Sequence, residues 1–583
     1  MARGEIFAAP AKNGEVRNVT QTPAIRERDA SWSPDGKWIA YLSDRNGDTY
    51  EIYIRPADGS GTERQLTSGG KSWRFTPAWS PDSKALAFFD KDQMLRLVDV
   101  TSGKVTDVDR DEYADIAHYR FSPDSRWVAY TKLNEARFSS IYVYSLADGK
   151  SSRLTSGMTD DTEPVFDPKG RYLYFTSNRD FNLTFSAFEF NYVYTDPTRV
   201  YVGLLAADGP AILLPQSDEE KVTADPATDT DKASDTEKAG DTKKEDKVEK
   251  KSVIVKIDPA GFESRVRAIP GGAGIYSSLS GVANGVLYLS GDGPKRTLKL
   301  YNLEDRKEET VMEGVRSYEL SANGEKVIFS SGTDYGIAPV KGGQKPGEGM
   351  LSLERMEMRI DPKSEWAQEF NDGWRIVRDW FYDPNMHGVD WNDVRQRYSS
   401  LLPHVSHRFD LDYVLGEMMG ELNSGHAYHD TSNDWQVKRV EHGLLGADIV
   451  SDPSGYFRID RIFSGENWNE RTRSPFTEPG VKVKAGDFIL AVDGTPTKGV
   501  DNFYRLMENK ANRVTTLLVN SKPDTTGARE ERVRPVAKET NLRYLDWVKS
   551  RREYVETALA ESSWPHNARS DSVWFAVQER PGD

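Results

Sequence analysis

The 583 residues are too many for one hydrophobic core, so the length predicts three or four domains. A formal charge of −15 argues against a general nucleic-acid binder and against a binder of anionic membranes, since both need a dense cationic surface. The absence of cysteine excludes disulfides, thiolate metal sites and a cysteine nucleophile.

A repeated segment fills the first third of the chain. Each copy has a turn followed by an alternating strand, as in SWSPDGKWIAYLSD (31–44), AWSPDSKALAFFD (78–90), RFSPDSRWVAYTK (120–132) and VFDPKGRYLYFTS (165–177). The prolines of these turns are 47, 42 and 45 residues apart, and weaker copies follow at 281–293 and 320–331. Short strands in repeats of about 40–50 residues are typical of propeller blades. We predict a seven-bladed β-propeller over residues 1–350, with six blades evident; an irregular β-sandwich is the alternative.

Residues 217–251 interrupt the repeats. This stretch, SDEEKVTADPATDTDKASDTEKAGDTKKEDKVEKK, contains no aromatic residue, leucine or isoleucine. It cannot bury enough apolar surface to offset the entropy of ordering. We predict a disordered acidic insert on the surface, and a binding role is the alternative.

From about residue 353 the pattern becomes helical. Ser364 is the predicted cap of a helix with a row of aromatic side chains, and Asp390 and Asp410 are predicted to begin two more helices. We predict a small helical subdomain over residues 353–432.

The pattern returns to strands over residues 437–538. Two strand-like segments, a glycine-rich hairpin, a helix (VDNFYRLMENK) and a further strand follow in the order of a PDZ domain. The loop formed by Gly443, Leu444, Leu445 and Gly446 precedes the first strand. Its backbone amides are predicted to hold the carboxylate of a peptide. A generic β-sandwich is the alternative for this region.

The search for catalytic motifs gives one candidate. His-Glu-x-x-His, Gly-x-Ser-x-Gly and phosphate-loop motifs are absent from the sequence. His404, His407, His426 and His429 lack a carboxylate at a metal-binding spacing, so we expect no metal and no cofactor. His426, in GELNSGHAYHD (420–430), follows small residues at a helix end, where its ring has room to face a cleft. A general base near neutral pH requires such a residue, and a structural histidine is the alternative.

The order of these segments resembles the tricorn family of cytosolic serine peptidases. The resemblance extends from residue 1 to about residue 556 and includes VKIDPAGFESRVRAIP (255–270), YDPNMHGVDW (382–391) and RYLDWVKSRREYVE (543–556). It implies a cytoplasmic homo-oligomer, a hexamer in the family, that cleaves peptides released by ATP-dependent proteases. It also implies that His426 is the general base of a helical catalytic subdomain.

Two departures from the family pattern bear on activity. Some members have a serine immediately before this histidine, whereas here Gly425 holds that position and Ser424 lies one residue earlier. The sequence similarity to the family also ends near Glu556, so residues 539–583 are predicted to be the start of a C-terminal subdomain and an aberrant tail. The resemblance therefore implies that the α/β catalytic subdomain, which carries the serine nucleophile, is missing here. Ser562, Ser563 and His566 in the tail lack a scaffold to hold them as a catalytic pair.

Two functions remain open on this sequence. The first is a tricorn-type serine peptidase with His426 as base, inactive in isolation because the nucleophile is elsewhere. The second is a non-catalytic scaffold in which the propeller and the PDZ domain bind peptides or proteins. A TolB-like propeller that works with export machinery is a third reading, and the PDZ region argues against it.

Overall fold

The computed structural model describes residues 1–47, 49–188, 190–214, 253–429 and 440–561. The chain divides into two compact units, residues 1–431 and residues 432–583. The predicted insert at 217–251 and the tail beyond residue 561, with Ser562, Ser563 and His566, lie outside the described residues.

The first unit contains a β-propeller, as predicted. A two-stranded sheet of β1 (Phe7–Ala8) and β2 (Arg17–Asn18) precedes five antiparallel sheets of four strands each. The first two are β3–β6 (Glu27–Trp32, Trp38–Ser43, Glu51–Pro56, Arg64–Gln65) and β7–β10 (Arg74–Trp79, Ala85–Asp90, Met94–Asp99, Val105–Arg110). The third is β11–β14 (Tyr119–Phe121, Trp127–Leu133, Ser139–Ser145, Lys150–Arg153), and the fourth is β15, β16, β19 and β20 (Asp161–Phe166, Tyr172–Ser177, Arg199–Leu204, Val266–Ala268). The fifth is β21–β24 (Tyr276–Val282, Gly285–Ser290, Arg296–Asn302, Lys307–Val315).

Two further strand groups complete this part of the chain. A hairpin of β17 (Leu183–Ser186) and β18 (Asn191–Tyr194) projects from the fourth of the four-stranded sheets. The last sheet has three strands, which are β25 (Ser317–Leu320), β26 (Lys326–Ser331) and β27 (Asp334–Pro339). A 3₁₀ helix, Phe262–Arg265, precedes β20. Its Phe262 packs with core residues of two neighbouring sheets.

The repeated Ser-Pro-Asp turns both close each hairpin and join neighbouring blades. The Ser33 hydroxyl donates to Asp35 Oδ1 at 2.6 Å within the first turn. The Asp35 amide donates to Ser83 Oγ of the next blade at 3.2 Å, and Asp82 makes the same bond to Ser125 at 3.1 Å. The repeat seen in the sequence is therefore a repeat of contacts between blades.

The innermost strands carry β-bulges that are held by the next blade. Asp29 and Glu163 lie at such bulges with φ of +54°, a left-handed conformation that is unfavourable for a non-glycine residue. The Asp29 carboxylate accepts from the Thr76 amide at 3.2 Å, and the Glu163 carboxylate accepts from the Leu279 amide at 3.0 Å. These interblade hydrogen bonds offset the backbone strain.

The predicted helical subdomain follows the propeller. It consists of α1 (Pro362–Trp380), α2 (Trp391–Ser399) and α3 (Arg408–Gly420), with 3₁₀ helices at Met386–Gly388 and Leu402–His404. Large apolar side chains from all three helices form its core, including Phe370, Trp374, Trp391, Val394, Leu411 and Met418.

The predicted cap of α1 was wrong, and α3 begins two residues earlier than predicted. The carboxylate of Asp361 caps α1 by accepting from the Ser364 amide. Pro362, which has no amide hydrogen, suits the first helical position. His407 caps α3, and Asp410 accepts from the His407 amide at 2.9 Å as the third residue of a capping box. Asp390 caps α2 as predicted.

Buried charges on α1 attach the helical subdomain to the first blade. Arg375 donates to Asp44 at 2.6 Å and to Asp372 at 2.9 Å, and its side chain is only 3% exposed. The Tyr50 hydroxyl donates to Asp372 Oδ1 at 3.1 Å, and burial raises the pKa of Tyr50 so that it remains a donor. The Trp73 indole donates to Asp379 at 2.6 Å.

Removal of Arg375 should destabilise this unit. Arg375→Ala leaves the buried carboxylate of Asp44 without its cation and leaves Asp372 with Arg26 alone, so we expect the free energy of unfolding to fall by about 3–5 kcal/mol. Urea unfolding followed by tryptophan fluorescence measures this loss. Arg397→Ala, which removes a solvent-exposed arginine on α2, should cost much less. Equal losses in the two variants would contradict the assignment.

Glu27 in β3 should make stability depend on pH. Its side chain is buried and accepts from the Thr22 hydroxyl at 2.7 Å, and burial raises its pKa to about 7 from 4.5. The folded state therefore binds this proton more tightly than the unfolded state, and the stability gained below pH 4.5 is lost as the pH rises through 7. We expect Glu27→Gln to be more stable than the parent at pH 8 by about 3 kcal/mol and equal to it at pH 4. Thermal melts across that range test the difference, and parallel curves would refute it.

The second unit is built around one sheet with a PDZ strand order. Its strands are β28 (Ala447–Ser451), β29 (Phe457–Ile462), β30 (Phe488–Val492), β31 (Thr495–Pro496), β32 (Thr515–Asn520) and β33 (Arg529–Val533). The predicted helix in VDNFYRLMENK is only a 3₁₀ helix, Phe503–Met507, and another lies at Pro475–Thr477. The longest helix, α4 (Thr540–Glu561), follows the sheet. Of the helices in the described ranges, none is both long and apolar enough to span a bilayer.

Candidate functional site

His426 lies in the segment that follows α3. Its backbone has a φ of +59°, and its ring is on the surface of the first unit. The hydroxyl of Tyr428 lies 3.2 Å from Nδ1, and the two rings meet edge to face with centroids 6.0 Å apart. Over the described residues, Nε2 has no hydrogen-bond partner, so this nitrogen is available to another group.

Three side chains from elsewhere in the helical subdomain hold the start of this segment. His387 places Nδ1 2.9 Å from the carbonyl of Leu422, whose own side chain is buried. Arg397 and the hydroxyl of Tyr398 donate to the Glu421 carboxylate at 2.9 and 2.8 Å. These contacts therefore hold the backbone that leads to His426 in place. In the sequence, the signal that points to His387 is its place in the segment YDPNMHGVDW (382–391).

Ser424 and His429 do not orient the His426 ring. The Ser424 hydroxyl donates to the Gly425 carbonyl at 3.3 Å rather than to the imidazole. His429 faces a different group, since its Nε2 lies 3.3 Å from the buried carboxylate of Asp412. Within the described part of the chain, no group of three or more histidine and acidic side chains is arranged to hold a metal ion.

The predicted carboxylate-binding loop precedes β28 in the second unit. The Gly443 amide donates to the Met507 carbonyl, and the Leu444 amide donates to the Val536 carbonyl, both at 2.8 Å. The Gly446 amide donates to Glu539 Oε2 at 3.1 Å. The side chain of Leu445 points into the core of the sheet. The loop thus binds a carboxylate in the structure, and that carboxylate belongs to the same chain.

The propeller channel has a polar pocket of about 550 Å³. Its wall includes His118, Arg120, Glu163 and Glu319 together with the aromatic rings of two inner strands. Burial lowers the pKa of His118, while the nearby Glu163 carboxylate opposes this shift. The sequence does not reveal this pairing, because Glu163 belongs to the next blade and only the packing of neighbouring blades brings the two side chains together.

Three family profiles match the chain in consecutive order. The tricorn protease second beta propeller domain matches residues 1–341, the tricorn protease C1 domain matches 362–420, and the tricorn protease PDZ domain matches 443–538. The first of these covers more than half of the chain. The chain belongs to the tricorn protease family.

Individual tricorn relatives agree with this membership. Tricorn protease homolog 1 of Streptomyces coelicolor is 30% identical over 579 residues, which are 95% of this chain and 52% of the relative. A putative tricorn-like protease C-terminal subunit of Sulfurisphaera tokodaii is 26% identical, over 95% of this chain and 61% of the relative. The chain spans about half the length of the curated relatives that it matches.

A tricorn crystal structure shares the fold. That structure superimposes with a TM-score of 0.78 at 20% identity and covers 96% of this chain and 52% of its own. The predicted family and the architecture of propeller, helical subdomain and PDZ domain are confirmed. The roles of His426 and of the Gly443–Gly446 loop remain predictions.

The tight packing of the tricorn PDZ loop can be tested at Gly446. Its φ is +69°, and an added Cβ would lie 2.7 Å from Ser474 Oγ and 3.2 Å from Leu542 Cδ2. We expect Gly446→Ala to cost about 2–4 kcal/mol, since it adds a steric clash to the strain of the left-handed backbone. Gly494→Ala is the matched control, because Gly494 has a φ of +78° with nothing within 4 Å. Thermal unfolding of the two variants should differ clearly, and similar losses would show that the loop is loosely packed.

Proposed function

We propose that this chain carries the general-base half of a serine peptidase site, with His426 as the base. The observation that supports the proposal is the His426 ring itself, which is exposed on an anchored segment that follows the C1 match at 362–420. Among the described residues, its Nε2 is unoccupied. Family membership supports a peptidase in general, and the serine type belongs to the proposal.

The geometry around the ring suits general-base chemistry. When Nδ1 carries the proton and donates it to the Tyr428 oxygen, Nε2 is left with its lone pair free. Such a nitrogen takes the proton of a serine hydroxyl as the oxygen attacks a peptide carbonyl. It then returns the proton to the leaving amine. Tyr428 is therefore the proposed positioning residue.

The nucleophile is proposed to lie outside the described residues. In the ranges described, the polar side chain next to the ring is that of Tyr428, and Ser424 turns away. A chain without the serine would bind peptides and not hydrolyse them. The isolated chain is therefore proposed to be inactive.

The remaining family properties are proposed for the whole assembly. Peptides released by ATP-dependent proteases are the proposed substrates, a cytoplasmic homo-oligomer of six copies is the proposed form, and the propeller channel is the proposed route for peptides. The loop formed by Gly443, Leu444, Leu445 and Gly446 is proposed to recognise peptide carboxylates. Nucleic acids and membranes are not proposed partners, given the net charge of −15.

A chimera tests the proposed base. The chain would be joined to the C-terminal part of the Streptomyces coelicolor relative that lies beyond the matched region. We expect the chimera to cleave a fluorogenic peptide and the His426→Ala form to lose about 10²–10⁴-fold in kcat. His404→Ala, which changes an exposed histidine of the same subdomain, should leave kcat unchanged. If the His426→Ala chimera retains its turnover, the assignment of His426 as the general base is wrong.

A fluorophosphonate probe separates the peptidase from the non-catalytic scaffold. The 583-residue chain should not react, whereas the active chimera should become labelled at its serine. Labelling of the chain alone would show that it contains a nucleophile. A chimera that binds peptides without becoming labelled would favour the scaffold.

A further inference from the structure

The carboxylate-binding loop of the PDZ domain is already engaged by its own chain. Three of its four amides, those of Gly443, Leu444 and Gly446, donate to groups of the same unit. The acceptor at Gly446 is the carboxylate of Glu539, the residue immediately before α4. A carboxylate on this loop is the contact by which PDZ domains recognise the end of a peptide.

The Glu539 carboxylate is buried and fully paired. The residue is 7% exposed, and its second oxygen accepts from Arg543 Nε at 2.7 Å. Arg543 also donates to Asp448 on β28 at 2.9 Å and stacks over the ring of Phe463 at 4.4 Å. A buried carboxylate held by an amide and a guanidinium costs much to remove.

A leucine side chain accompanies this carboxylate. Leu542 is 1% exposed, and its Cδ2 lies 3.2 Å from the position that a Cβ on Gly446 would occupy. Residues 539–543, which are Glu539 and the first turn of α4, therefore lie against the Gly443–Gly446 loop and against β28. β28 is an edge strand of the sheet, to which a strand-adding peptide would bind.

We infer that residues 539–543 are an internal ligand of the PDZ groove, with Glu539 in place of a peptide's terminal carboxylate and Leu542 in place of its last side chain. The site therefore takes peptides that end in an apolar residue with a free carboxylate, and only when they displace this segment. This inference rests on the proposed carboxylate role of the Gly443–Gly446 loop.

Hydrogen exchange tests the internal contact directly. In Glu539→Gln the bond from the Gly446 amide loses its charged acceptor and weakens, so we expect this amide to exchange about tenfold faster by NMR or mass spectrometry. Glu556→Gln is the matched control, because Glu556 pairs with Arg552 on the exposed face of the same helix. Unchanged exchange at Gly446 would overturn the inference whatever the domain binds.

Peptide binding tests the competition. The probe is a fluorescein-labelled peptide that ends in leucine with a free carboxylate, compared with its C-terminal amide. We expect Glu539→Gln and Leu542→Ala each to tighten the Kd of the acid form about tenfold and to leave the amide form unbound. If Gly446 exchange accelerates but no variant binds the acid peptide, the internal ligand stands and the proposed recognition of peptide carboxylates fails. An equal Kd of the acid peptide for the parent and the variants would contradict the proposed competition.

Discussion

The buried charge cluster on α1 is the constraint on which the rest of the first unit depends. Arg375 lies between Asp44 of the first blade and Asp372 of its own helix, and Asp372 also accepts from Arg26 and Tyr50 of the propeller. Such buried pairs add little to stability relative to apolar packing, but they accept only one geometry. The helical subdomain is therefore fixed on the propeller in one orientation, and the segment that carries His426 is fixed with it.

The candidate base depends on a second set of polar contacts. His387 and Arg397 hold Leu422 and Glu421, so the chain leaves α3 in a defined direction before His426. The ring itself remains exposed with one nitrogen unoccupied among the described residues. A base that is anchored through its backbone and open at its ring suits a nucleophile supplied by another domain.

In the proposed competition, one loop of the PDZ unit serves two ligands. The Gly446 amide holds the Glu539 carboxylate, which has the advantage of a high effective concentration because it is tethered close by. On this proposal, an external peptide must bring more contacts than the segment that it displaces.

The sequence by itself determined the blades, the α2 cap at Asp390 and the family, because turn chemistry and strand periodicity are local properties. It also singled out His426 through its small neighbours and its resemblance segment. It misplaced the cap of α1 at Ser364 and the start of α3 at Asp410, since several side chains near each helix start can cap it and geometry selects one. Only the tertiary structure showed Glu539 on the Gly446 amide, because that contact joins residues 93 positions apart. Hydrogen bonding between such distant groups leaves no periodic signal in the chain.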